Sequence, residues 1–104
     1  MEEGDYVRTK DGDLFILDDI VDNEVIPRYI HLPYAIWENE IIKSSPNIID
    51  LIEVGDYVNG EKVVNIMKKH EYLEVSDEEI TIDKDDIKSI VTKEQFKNIE
   101  YEVK

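Results

Sequence analysis

The sequence predicts a mainly β protein in which one small module is written twice, each copy ending in a short helix. Three observations carry that prediction. Gly4-Asp5-Tyr6-Val7 near the start returns as Gly55-Asp56-Tyr57-Val58, 51 residues later. Short β-branched and aromatic runs are separated by turn-forming pairs such as Asn59-Gly60, the pattern of hairpins rather than of long helices. Downstream of each Gly-Asp the landmarks recur in one order: hairpin turn, apolar strand, Ile-Lys-Ser, helix start.

The first copy opens on Tyr6-Val7-Arg8-Thr9, turns through Lys10-Asp11-Gly12-Asp13 and returns through Leu14-Phe15-Ile16-Leu17. Asp22-Asn23 is the next turn, and Pro27 suits a strand edge, where a missing N–H costs nothing. Tyr29 to Trp37 holds most of this half's aromatics, including the only tryptophan. Ile41-Ile42-Lys43 reads as a short strand. Ser45 as N-cap with Pro46 at the first helical position would start a short helix over residues 47–52.

In the second copy Asn59-Gly60 is a two-residue hairpin turn, and Val63 to Met67 the return strand. Lys68 to Glu71 reads as a turn, and Tyr72-Leu73-Glu74-Val75 with Ile80-Thr81-Ile82 as a further hairpin. Asp83 to Asp86 turns again, and Ile87 to Val91 is expected as the last strand of the module. Thr92-Lys93-Glu94-Gln95 fits a capping box, in which the Thr92 hydroxyl and the Gln95 amide each accept from the other's backbone. A helix should follow over residues 93–98, and the alternating residues 99–103 read as a terminal strand.

Ile42-Lys43-Ser44 and Ile87-Lys88-Ser89 lie 45 apart, so the first copy is six residues longer between the shared landmarks, an excess that includes the Pro27 to Pro33 region. Such an insertion maps to a loop, which is either a partner contact or simply tolerated length. At 104 residues, residues 1–53 and 54–104 are two repeats of one compact unit, because a module of about 50 residues buries too little surface to be robust alone. Hydrophobic residues at 41% suffice for a packed core.

The composition is strongly acidic, with 26 Asp and Glu against 12 Lys and Arg and a formal net charge of −14. The excess spans the chain: residues 1–53 hold 13 acidic and 4 basic side chains, residues 54–104 hold 13 and 8. Direct nucleic-acid binding is disfavoured, since it draws on cations that displace phosphate counterions, and so are anionic membrane surfaces. Docking on a basic protein is favoured; mere solubility is the competing explanation of the charge. No cysteine is present, and neither a secretory leader nor a membrane span is evident. A cytoplasmic protein is expected.

The order of short strands closed by a one-turn helix, opened by Gly-Asp-x-Val, resembles tandem SH3-like small β-barrels, including KOW-type modules. That resemblance implies nucleic-acid binding through basic loops, but the matching loops here carry Asp11, Asp13, Asp77, Glu78 and Glu79. Over residues 47–103, the strings Asn47-Ile48-Ile49-Asp50-Leu51-Ile52-Glu53-Val54-Gly55-Asp56-Tyr57-Val58-Asn59-Gly60 and Asp86-Ile87-Lys88-Ser89-Ile90-Val91-Thr92-Lys93-Glu94-Gln95-Phe96 resemble a family of small phage and prophage proteins of low-GC Gram-positive bacteria. The resemblance implies a phage or prophage origin, hence an infected or lysogenic bacterial host, and brings no catalytic residue or cofactor with it.

No pattern in the chain points to catalysis, to a resident metal or to a cofactor. His31 and His70 lie 39 apart without ligand spacing, and the Asp83 to Asp86 turn lacks the glycine of a calcium loop. Gly-rich phosphate loops and nucleophile elbows are lacking. Tyr6 and Tyr57 read as packing residues. Tyr29, Tyr34 and Trp37, flanked by Glu38 and Glu40, are either a protein-binding patch with aromatic anchors and steering carboxylates or a packing surface between the halves. With the acidic loop residues Asp11, Asp13, Asp77, Glu78 and Glu79 they are the candidate partner-binding residues. The expected partner is a basic host protein, such as a nucleic-acid-binding defence effector inhibited by carboxylates that imitate phosphates. A phage structural or adaptor module is the alternative, ahead of a KOW-like nucleic-acid-binding module.

Overall fold

The computed structural model describes residues 1–76 and 80–99. The chain divides into two compact units, Met1–Leu51 and Ile52–Lys104. The first contains β1 (Tyr6–Thr9), β2 (Leu14–Val21), β3 (Glu24–Arg28), β4 (Ile36–Trp37) and β5 (Ile41–Ser45), with 3-10 turns at Glu38–Glu40 and Ile48–Leu51. The second contains β6 (Tyr57–Val58), β7 (Glu61–Met67), β8 (Tyr72–Val75), β9 (Ile80–Asp83) and β10 (Ile90–Val91), then α1 (Lys93–Ile99). Its 3-10 turns are Lys68–His70 and Lys84–Asp86.

Each unit builds one five-stranded antiparallel sheet, in the orders β4-β3-β2-β1-β5 and β10-β6-β7-β8-β9. In both, the fifth strand returns beside the first, and a 3-10 turn lies between the fourth and fifth strands. Among the described residues neither ladder closes on itself: β4 and β5 are the edges of one sheet, β9 and β10 of the other. Among the described residues no helix is long and apolar enough to cross a membrane.

Side chains alternate across a strand, and the apolar ones fall on one face. Val7, Phe15, Leu17, Val25 and Ile36 form a buried cluster in the first unit, with Ile20, Leu32 and Ile41 packed against it. In the second, Val58, Val63, Leu73, Val75 and Ile82 are buried. Each such side chain contributes about 1.5 to 3 kcal/mol on leaving water.

The repeated Gly-Asp is a backbone clasp. Gly4 N–H donates to Leu17 O (2.9 Å) and Leu17 N–H to Asp5 O (2.8 Å); Gly55 N–H donates to Val63 O (2.9 Å) and Val63 N–H to Asp56 O (2.8 Å). The aspartate side chain secures the approach, accepting at Oδ2 from Glu2 N–H (2.9 Å) in one copy and from Glu53 N–H (2.8 Å) in the other. Gly4 and Gly55 sit at φ +90° and +100°, a region open to glycine and costly for residues with a Cβ. A bulge follows in each copy, between Leu17 and Asp19 and between Val63 and Asn65. There Asp19 Oδ1 accepts from Ile20 N–H (2.8 Å) and Asn65 Oδ1 from Ile66 N–H (3.0 Å).

These landmarks correct the alignment read from the sequence. Gly4 precedes its bonded partner Leu17 by thirteen residues, whereas Gly55 precedes Val63 by eight. Most of the extra length of the first copy therefore lies in the β1–β2 hairpin, around Lys10 to Asp13, and not in the Pro27 to Pro33 region. Between Val25 and its partner Ile36 the first copy is only two residues longer than between Leu73 and Ile82. The Ile-Lys-Ser strings are also not equivalent: Val7 pairs with Ser44, but Val58 pairs with Ile90.

Other elements follow local chemistry. Asp22 and Asn23 both take positive φ (51° and 70°), as do Asn59 and Gly60 (53° and 82°), giving two-residue turns between Val21 and Glu24 and between Val58 and Glu61. Pro27 lies in β3, but β4 pairs only with Glu24 and Val25, so its missing N–H interrupts no pairing on that side. The expected strand over Ile87 to Val91 shrinks to Ile90–Val91, because the Asn59 side chain takes over the segment before it. Asn59 Oδ1 accepts from Lys88 N–H (2.7 Å) and Ser89 N–H (3.1 Å), while Nδ2 donates to Asp86 O (2.8 Å).

The helix expected after Ser45-Pro46 is a 3-10 turn starting at Ile48. Ser45 belongs to β5, and Asn47 Oδ1 accepts from Ile49 N–H (3.3 Å). The capping box forms as read, with Thr92 N–H donating to Gln95 Oε1 (3.2 Å) and Gln95 N–H to Thr92 Oγ1 (3.3 Å). Ile99 closes α1, and the remainder of the expected terminal strand lies outside the described residues.

Candidate partner-binding surface

The long β1–β2 hairpin carries Lys10, Asp11 and Asp13 towards the segment that precedes β4. Tyr34, half exposed there, donates its hydroxyl to Asp13 Oδ2 at 2.5 Å, the short distance typical of a charge-assisted bond. The phenol is pushed up to about 12, first by that hydrogen bond, then by burial and by the negative charges of Asp13, Asp11 and Glu40. Ionisation would add a further anion among three carboxylates.

Glu40 links this cluster to the edge of the sheet. It lies in the 3-10 turn Glu38–Glu40, where its Oε2 accepts from Trp37 N–H (2.8 Å) and its Oε1 is 4.0 Å from Lys10 Nζ. Its carbonyl accepts from Lys10 N–H (2.9 Å). One side chain thus occupies an edge-strand donor that would otherwise be open to a foreign strand.

Trp37 pairs with Glu24 across β3 and β4, which sets it beside the Asp22-Asn23 turn. Glu38 N–H donates to Asn23 O (2.8 Å) and holds the two segments together. The result is an open depression lined by Asn23, Trp37, Glu38 and Asn39. Trp37 is 48% exposed. A smaller groove runs along the core side of the same region, between Ile26, Ile30, Leu32 and Tyr34.

No protein-family model, curated protein or solved structure matches this chain. The surface has to be read from its own chemistry.

Of the residues picked from the sequence, Asp11, Asp13, Tyr34 and Glu40 converge through the first hairpin, and Trp37 and Glu38 share the depression. Tyr29 is set apart in that it is 87% exposed at φ +70°. Asp77, Glu78 and Glu79 lie outside the described residues. Three participants were missed: Lys10, Asn23 and Asn39. Lys10 and Asn39 read as ordinary polar loop residues. Asn23 read only as a turn former, and its place beside Trp37 follows from the Glu24–Trp37 register, which no local signal encodes. His31 and His70 are exposed, His70 stacking on Tyr72 at a centroid distance of 6.3 Å. No group of three or more His, Cys, Asp or Glu side chains suited to a metal occurs among the described residues.

Proposed function

We propose that this protein is a non-enzymatic, phage-encoded inhibitor that docks on the basic nucleic-acid-binding surface of a host defence protein in the bacterial cytoplasm. The observation that supports this reading is the gathering of Asp11, Asp13 and Glu40 around Tyr34, on a chain of formal charge −14. Carboxylates held at fixed positions present a cationic channel with the charge pattern of phosphates while costing little ordering entropy. A CRISPR effector, which holds nucleic acid in such a channel, is the kind of target that fits.

The scaffold in this reading is a pair of tandem SH3-like barrels in partly opened form. The strand order, with the fifth strand beside the first and a 3-10 turn before it, supports that assignment.

Titration of guide-free Cas9-type effector with the protein tests the proposal. Binding should compete with nucleic acid and weaken steeply as ionic strength rises. Affinity indifferent to salt, or tight binding of DNA or RNA by the protein itself, would overturn it.

The exposure of Tyr29 and Trp37 favours a second reading, an adaptor or structural module of the phage particle that binds through aromatic anchors. In that case Trp37→Ala abolishes partner capture, and neutralising Asp11 and Asp13 leaves it intact.

A further inference from the structure

The depression on the β4 edge has a chemistry distinct from the Tyr34 cluster. Among the described residues its lining holds an aromatic residue, Trp37, a carboxylate residue, Glu38, and two carboxamide residues, Asn23 and Asn39, and neither lysine nor arginine. A planar cation is the group these side chains suit in combination: an indole face attracts a guanidinium, a carboxylate accepts its paired N–H groups, and amide oxygens take the remaining donors. The turn that positions Asn23 and the bond from Glu38 N–H to Asn23 O hold the backbones of the two walls together. Among the described residues β4 is an edge strand, with β3 as its one paired neighbour.

We propose that this depression is a receptor for a single arginine side chain of a basic partner protein, stacked on Trp37 and paired with Glu38. Charge complementarity selects the occupant: with Arg28 paired to Glu3 (3.0 Å) and Asp18 (3.4 Å), a net charge of −14 makes a cationic side chain the favoured visitor. The inference rests on the reading of the protein as the ligand of a basic partner, and it assigns to that partner one specific contact.

The experiment uses the full chain and two synthetic probes of equal charge, an arginine–glycine peptide and a lysine–glycine peptide. Binding is followed by calorimetry and by the NMR resonance of the Trp37 indole N–H. The arginine peptide should shift that resonance and bind roughly threefold or more tighter than the lysine peptide, since only guanidinium is both planar and forked. Trp37→Leu should weaken it about tenfold and Glu38→Gln several-fold, with Trp37→Phe retaining part of the affinity. Asp13→Asn should cost less than either.

Equal affinity for the two peptides, or for wild type and Trp37→Leu, overturns the site. If binding is then still salt-sensitive, docking on a basic partner survives without this contact. Arginine selectivity at Trp37 with an effector affinity indifferent to salt retains the site and sinks phosphate mimicry.

Discussion

The two Gly-Asp clasps use the same hydrogen bonds in different surroundings. Asp5 is half-buried, and its Oδ2 accepts from Glu2 N–H. Asp56 is fully buried; besides Glu53 N–H it accepts from Lys93 N–H at Oδ1 (2.9 Å), at the first residue of α1. Lys93 in turn bonds Glu53 at 2.7 Å, which raises its own pKa. The second clasp has thus become the anchor of a helix, whereas the first only shapes the entry to a strand. The two copies share the backbone geometry and differ in side-chain load.

Replacing each aspartate gives the sharpest test of that difference. Asp56→Ala removes an acceptor from two backbone donors in a buried setting and should destabilise the second unit by about 3 kcal/mol. Asp5→Ala should cost the first unit about 1 kcal/mol. Urea denaturation read through amide exchange in each unit separates the two, and equal losses would erase the distinction.

The two hairpin turns differ in the same way. Asn59→Gly keeps a residue content at ease with positive φ but deletes three side-chain hydrogen bonds to residues 86–89. It should cost about 1 to 2 kcal/mol and strip exchange protection from Lys88 and Ser89. Asn23→Gly, in the turn of the first unit, should cost only a few tenths.

A stabilising change is expected at Tyr29, an aromatic held at φ +70°. Tyr29→Asn should add about 0.5 to 1 kcal/mol, because asparagine tolerates the left-handed region better. A loss of stability would show that the tyrosine ring makes up for its backbone strain.

Tyr34 provides a pH probe with no counterpart in the second unit at the matching hairpin, which is too short to reach. Its folded pKa of about 12 exceeds the ordinary 10.0. The neutral hydroxyl therefore contributes fully to stability below pH 10, and the contribution is lost as pH rises from 10 towards 12. Ultraviolet titration should show Tyr34 ionising late, and Asp13→Asn should bring it back towards the ordinary 10.0.

What was legible in the sequence is what depends on a few adjacent residues. Asn59-Gly60 and Asp22-Asn23 are turns because their side chains tolerate positive φ, and Thr92 with Gln95 caps α1 because both partners lie within one turn. The mainly β character followed from the same punctuation. The equivalence of the halves was misjudged where it depends on pairing across the sheet. Matching Ile-Lys-Ser strings suggested one register, but the bonds to β1 and β6 set another, one residue away. The surface shows the same division: Tyr34, Trp37 and the carboxylates stood out by type, while Asn23 entered only through a strand register, and the Asn59 staple across residues 86–89 spans a separation no local pattern reveals.

The return of the last strand to the first has a consequence for how such a chain can grow. Tyr6, where the first sheet begins, lies opposite Ser45, where it ends, and Tyr57 lies opposite Val91. The first and last strands of each sheet are therefore neighbours. Every ladder is thus completed within its own unit, so a chain that carried a further copy would need no strand borrowed from another.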